Sequence, residues 1–317
     1  MGLEKSQASR DYTIQRKGNA MIVRFNEIFA SVCFAVLSSI AVTAHAEAAG
    51  TAYEIKLPTT FAKTVVPPAK VAKAGKIVMC TELGDPPAGF LAEDGSTPKG
   101  FNVDIMSAIG PVMGVKTEVI NYPFADIFAA LDSGKCDAVM SSSSKSPARV
   151  ARYNFVTYMT MRLGLMVPKG NPLNLKTFDD LAGHRGAVLV SSTTERLLKA
   201  ASAKAVSEGK SPIEIQSYPQ NTTVFHQLQL GRVDAFVGDA MTIGYWEHLS
   251  NGRFQVGGLP VEPLTIGIVM RKDDPQIEDA VRKAYISLFD SGYVQQSSKK
   301  WGMDGFITLC RDEKPCS

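Results

Sequence analysis

The chain has 317 residues, of which 45% are hydrophobic and 21% charged, and its formal net charge is +3. That composition is ordinary for a globular protein, and the length suits one large or two medium domains. The first 46 residues carry five basic side chains against Glu4, Asp11 and Glu27, which leaves about +1 for the remainder, without blocks of like charge. Such a surface does not attract a phosphate backbone over a wide area, so nucleic acid is excluded as the expected partner.

The N-terminus reads as an address. Lys5, Arg10, Arg16, Lys17 and Arg24 precede the apolar run Ile28–Val42, and "AHA", Ala44–Ala46, follows it. This is the pattern of a secretory signal peptide over residues 1–46, cleaved before Glu47. Met21 offers an alternative start, with residues 1–20 as an upstream extension. The apolar run is shorter than the roughly 20 residues a membrane span needs, and a retained anchor is the competing reading. "ASVC", Ala30–Cys33, is a poor lipoprotein box, so no lipid anchor is expected. Export places the mature chain in an oxidising compartment. Cys310 and Cys316 flank "RDEKP" and are expected to close a small disulfide loop. Cys80 and Cys136 lie in apolar strand-like contexts and read as buried thiols. Neither the cysteine spacing nor the scattered His184, His226 and His248 suggests a metal site, and no cofactor is expected.

Residues 47–75 are rich in Ala, Pro, Lys and Thr and read as a flexible lead-in. From Lys76 short apolar runs alternate with helical periodicity. "KIVMC" predicts a strand, "GFNVDIMSAIGPVMG" an amphipathic helix and "KTEVINY" a strand. "FADIFAALDSG" predicts a second helix and "CDAVM" a third strand. This β-α-β-α-β order implies parallel strands with helical crossovers, hence an α/β sheet. The phrase "IFAALDSGKCDAVM" returns 97 positions later as "VFHQLQLGRVDAFV" (Gly134 to Gly231), with "RGAVLVSSTTERLLKAA" as a further strand–turn–helix between them. Two lobes of similar topology are therefore expected: residues 76–163 and 264–317 in lobe 1, residues 164–263 in lobe 2. Each lobe would hold a mixed, mostly parallel sheet flanked by helices. Two β-rich segments, Tyr158–Gly170 and Glu262–Asp274, are placed to cross between them as a hinge. The final helical pattern from "PQIEDAV" to "KKWGM" then packs on lobe 1.

Ligands of open parallel sheets bind outside the carboxyl ends of the strands, and polar clusters follow these strands throughout. Thr81, Glu82 and Asp85 follow the first, Ser141–Ser144 the third, Ser191–Thr194 the first of lobe 2, and Asp239 the strand "VDAFVG". Ser146-Pro147 reads as an N-cap and first helical residue. Arg149 then falls in the first turn, where a cation opposes the helix dipole unless an anion binds there. A guanidinium suits a bidentate grip on a carboxylate. The alternatives are a surface ion pair for Arg149, and Arg152 as the ligand cation in its place. Asp239 follows an apolar strand and, partly buried, needs a cation; a ligand ammonium would supply it, beside or instead of a helix-capping role. Hydroxyls of Ser142, Ser144, Ser192 and Thr193 can support either end. A carboxylate grip in one lobe and an ammonium grip in the other define an α-amino acid.

With these residues in place the sequence resembles solute-binding protein family 3, the periplasmic polar amino-acid receptors of ABC importers. The resemblance runs from about Lys76 to Met303. Its carriers are "GFNVDI", "LDSGKCDAVMSSSSKSPAR", "NFVTYM", "LMVPKGNPL", "DDLAG", "SSTTE", "GRVDAFVGD" and "KWGM", weak singly and strong in this order. It implies a two-lobed periplasmic binding protein fold of type II. A monomer would close on a free amino acid and dock on a membrane permease. The family's carboxylate-binding arginine falls on Arg149, its hydroxyls on Ser142, Ser144 and Thr193, and its ammonium-binding aspartate on Asp239. Its first-strand acid falls on Glu82 and an aromatic wall position on Phe124. The family's aromatic lid within a "YPPF"-like run is altered: "GDPPAG" puts Asp85 and Ala88 there, with Phe90 as a substitute aromatic. Glu82 and Asp85 add negative charge where a ligand side chain would lie, which favours a cationic or polar one. Two other uses of the scaffold stay open: a cyclohexadienyl (arogenate or prephenate) dehydratase with Glu195 of "SSTTE" as general acid, and a sensory amino-acid receptor. Glu195 is equally expected as a first-turn acid favoured by the helix dipole.

Overall fold

The computed structural model describes residues 51–53, 60–259, 261, 263–312 and 316. The signal-peptide and Met21 expectations, part of the lead-in, and Glu262 lie outside these residues.

The chain opens with β1 (Thr51–Tyr53), α1 (Ala69–Ala74) and β2 (Lys76–Thr81). Gly75 ends α1 in the left-handed region, at φ 67°, which a residue with a Cβ adopts only with strain. Three short strands, β3 (Gly84–Asp85), β4 (Gly89–Leu91) and β5 (Pro98–Lys99), form a small antiparallel sheet. Then come α2 (Phe101–Val112), β6 (Lys116–Asn121), α3 (Ile127–Asp132), β7 (Ala138–Val139), α4 (Pro147–Arg152) and β8 (Tyr153–Met161). Only Arg162 separates β8 from β9 (Leu163–Pro168), which belongs to a second sheet with β10 (Arg185–Leu189), β11 (Glu214–Tyr218), β12 (Ala235–Asp239) and β13 (Phe254–Gly258). Its helices are α5 (Thr193–Ser207), α6 (Asn221–Gln229) and α7 (Ala240–Leu249). The chain returns through β14 (Leu264–Arg271) and finishes with α8 (Pro275–Asp290), α9 (Tyr293–Lys300) and β15 (Ile307–Leu309).

The two sheets repeat one topology. The first has the order β1-β6-β2-β7-β14-β8-β15 and the second β11-β10-β12-β9-β13. In each, the first strand lies between the second and third of its unit, all parallel, and an antiparallel strand follows the third. The sequence echo has a physical basis here. Gly134 and Gly231 end their helices in the left-handed region. Asp137 Oδ2 then accepts from the Val78 N–H (2.9 Å), and Asp234 Oδ2 from the Arg185 N–H (2.8 Å). Each aspartate thus fastens its strand to the central one.

Apolar clusters lie on both faces of each sheet. One packs β2, β6 and β14 against α2 and α8 through Met79, Phe101, Ile109, Ile268 and Tyr285, all fully buried. The opposite face carries Ile127, Leu131 and Val139 of α3 and β7. Ten of the twelve α2 residues are buried because α8 and α9 cover the side that the sheet does not. The final helical pattern breaks in two at Gly292, φ 80°, between α8 and α9.

Two expectations need correction. Cys80 and Cys136 are not free thiols; they form a disulfide with a Cα–Cα distance of 5.8 Å, as Cys310 and Cys316 also do. The strand order explains it: the third strand of the unit lies beside the first, with Cys80 opposite Val139. The stretch read as a flexible lead-in is partly built into the fold. β1 pairs antiparallel with β6, Thr64 and Val65 donate to the Val112 carbonyl, and the Phe61 ring meets Tyr293 edge-on at 4.9 Å. The serine run is itself tied to the sheet, since Ser144 bridges to Ile266 of β14 and Gly267 N–H donates to the Ser143 carbonyl.

Candidate functional site

The strand ends converge as their order dictates. β2 delivers Glu82, whose N–H donates to Ser141 Oγ (3.1 Å), while Leu83 N–H donates to Asn121 Oδ1 (3.0 Å) at the end of β6. Ser142 stands in the left-handed region, φ 48°. Its hydroxyl accepts from Asn102 Nδ2 (3.3 Å), and Asn102 Oδ1 accepts from the buried Tyr158 hydroxyl (3.2 Å). From the second sheet, β10 leads to Ser191 and to Ser192, which caps α5 by accepting from the Glu195 N–H (3.0 Å). Ser144 and Thr193 hydroxyls meet at 2.7 Å, joining the two sets.

Glu82, Asp85, Phe124, Ser142, Ser144, Arg149, Ser192, Thr193 and Asp239 all line one narrow cavity of about 30 Å³. Sequence reasoning did not single out its apolar floor. Met161, Leu163 and Leu264 supply it, where β8 passes into β9 and β14 returns. Phe90, offered as a substitute lid, is elsewhere: it packs on Tyr245 and Trp301 in a separate groove.

Arg149 is held ready for an anion. Ser146 Oγ accepts from its backbone N–H, as the N-cap pattern predicts. Its Nη1 donates to Ser144 Oγ (3.1 Å), and the guanidinium lies 4.8 Å from the Phe128 ring centre and 5.5 Å from that of Phe124. Burial lowers its pKa to about 10, with the nearby charge of Arg196 adding to the effect. Among the described residues no carboxylate pairs with it, so the surface ion pair is not the arrangement found. Arg152 instead pairs with Asp132 at 2.7 Å on the exposed side of α4. Beside the guanidinium, the first turn of α5 contributes N–H groups that have no partner within the helix.

The acidic groups lie apart from it. Asp239 ends β12 and occupies the cap position of α7, but its side chain makes no capping bond. Burial, and then the charge of Asp85, push its pKa well above the usual carboxylate range. Glu82, 2% exposed, is raised likewise by burial and then by Asp85, and its Oε1 has no hydrogen-bond partner. Asp85, 7% exposed, is raised by burial, against donors from Thr242, Asn221 and Ser142. Three carboxylates thus face one guanidinium in the cavity. Among the described residues they are not grouped closely enough to hold a metal ion.

Glu195 does not line this cavity. It borders an adjoining recess with Arg196 and Lys199. Its carboxylate accepts from Ser191 N–H (2.8 Å) and Ser217 Oγ (2.7 Å) and pairs with Lys199 at 2.9 Å. Burial raises its pKa, but these partners outweigh that and leave it lowered. A general acid must hold a proton near neutral pH; Glu195 is arranged as an ionised helix-cap residue.

Against this geometry, the sequence matches bacterial extracellular solute-binding proteins, family 3, over residues 77–304. The chain belongs to this family. Among relatives, it is 26% identical over 233 residues to the L-cystine-binding protein TcyJ of Escherichia coli K12, covering 73% of this chain and 84% of that protein. Among solved structures it is similar to an ancestral arginine-binding protein bound to arginine, at 28% identity and a TM-score of 0.66, covering 72% of this chain and 98% of that one. An ancestral amino acid-binding protein described as a precursor of cyclohexadienyl dehydratase matches at 27% identity and a TM-score of 0.66, covering 73% and 97%. The family 3 assignment accounts for the two-lobed α/β fold.

Proposed function

We propose that this family 3 protein is exported to the periplasm, captures a free amino acid between its lobes as a monomer, and delivers it to the permease of an ABC importer. One observation carries the reading. Arg149 from the first sheet's side and Asp239 from the second line the same cavity, a guanidinium and a carboxyl, each without an ion pair to a group of opposite sign among the described residues. A carboxylate on the guanidinium and an ammonium on the carboxylate satisfy both, each charge-assisted bond contributing about 1.5–3 kcal/mol.

The side chain of the preferred ligand is cationic. A zwitterion alone leaves Glu82 without a partner, and burying a carboxylate in that state is costly. A guanidinium or ammonium at the far end of the ligand offsets that cost and gives Glu82 Oε1 a donor. The arginine named for one similar structure accords with this.

Titration calorimetry with arginine, lysine, glutamine, cystine, glutamate and arogenate tests the proposal. Arginine or lysine is expected to bind tightest. Their affinity should rise with pH, because carboxyls with raised pKa values must lose protons before they can pair with a cation. Glutamate binding more tightly than both, or conversion of arogenate to an aromatic product, contradicts it.

A further inference from the structure

Asp85 stands where the family resemblance puts an aromatic lid, yet its contacts run across the cleft. Its Oδ1 accepts from Asn221 Nδ2 (2.9 Å) at the start of α6 and from Thr242 Oγ1 (2.8 Å) in α7. Both donors belong to the second sheet's helices, while Asp85 belongs to β3 beside the first sheet. All three residues are buried, at 7%, 3% and 0% exposure. The surfaces around them meet closely. A Cβ on Gly84 would clash with the Gln220 side chain, and one on Gly244 with the Phe306 ring. Phe90 lies 5.9 Å from Tyr245 across the same seam.

We infer that Asp85 is a latch between the lobes, holding the cleft shut through Asn221 and Thr242 rather than reading the ligand's side chain. Separating the lobes breaks both bonds and returns the carboxylate to water. Closing them surrounds one oxygen with two donors. A buried polar cluster of this kind is stabilising when every partner is present and costly when one is removed. The latch rests on the proposed ligand cleft only for its purpose; its contacts are between the protein's own groups.

Small-angle scattering of the ligand-free wild type, Asp85→Ala and Asp85→Asn, with melting of Asp85→Ala, Thr242→Val and the double variant, tests it. Asp85→Ala should have the larger radius of gyration, with Asp85→Asn nearer wild type because its amide oxygen still accepts. The two melting effects should be less than additive, since either change breaks the same bond. For arginine and lysine alike, Asp85→Ala should weaken binding by about ten- to a hundredfold, from two lost hydrogen bonds to a charged group. The two tryptophans, Trp246 and Trp301, line the groove at the seam from opposite sides, so their fluorescence reports closure independently. Superimposable scattering for wild type and Asp85→Ala, additive melting effects, or a loss for one amino acid and not the other overturns the latch. Scattering and melting decide the matter even where no amino acid binds, so failure of the latch is separable from failure of the proposed function.

Discussion

Arginine affinity measured by calorimetry should fall by about two to four orders of magnitude in Arg149→Met, while the ligand-free protein melts within about 1 kcal/mol of wild type. The two halves of this expectation have one cause. The guanidinium has been taken out of water without a carboxylate in exchange, and burial lowers its pKa. Methionine fills a similar space between Phe124 and Phe128 and removes that cost, offsetting the lost cation–π contacts. A ligand carboxylate has no such substitute, because the first-turn N–H groups of α5 supply direction but no full charge. Unchanged arginine affinity in this variant would show that the guanidinium is not the carboxylate grip. A collapse of ligand-free stability would show that Arg149 is a structural residue.

The second large effect concerns the bridge that the sequence did not reveal. Replacing Cys80 and Cys136 together by alanine is expected to destabilise the protein by about 4 kcal/mol, from release of a loop of roughly 56 residues. At this chain length that lowers the melting temperature by roughly 8–16 °C. The Cys310–Cys316 bridge spans 6 positions and should matter less, about 2 kcal/mol. The larger bridge also bears on the site. Cys80 lies two residues before Glu82 and Cys136 five before Ser141, so it ties together the strands whose ends carry the acidic and hydroxyl walls. Thermal melts of the two double variants, with arginine titrations, check both consequences. Equal melting temperatures for wild type and the Cys80/Cys136 variant would contradict the first.

What could be read in the sequence was local chemistry repeated at fixed offsets. A glycine ending a helix and an aspartate opening the next strand occur twice, and both aspartates bond the central strand in the same way. Polar residues after strand ends found the cavity because strand ends must converge in a parallel sheet. The missed features depend on neighbours set by topology. Cys80 meets Cys136 only because the third strand lies beside the first. β1 was invisible because three residues of an edge strand carry no period, and its pairing with β6 is what orders it. Asp85 showed its charge but not its partners, since Asn221 and Thr242 lie 136 and 157 positions away. Phe90 reads in the sequence as a substitute for the aromatic lid, yet the small sheet turns it to the seam with Tyr245 and Trp301.

The most direct measurement of a grip on both poles of an amino acid is calorimetry with L-arginine, its α-amide and its Nα-acetyl derivative. The amide keeps the ammonium without the carboxylate, and the acetyl compound keeps the carboxylate without the ammonium. Binding of arginine with a loss of about a hundredfold or more for each derivative is the expected result. Either derivative binding within about threefold of arginine would mean that Arg149 and Asp239 do not hold opposite ends of one ligand.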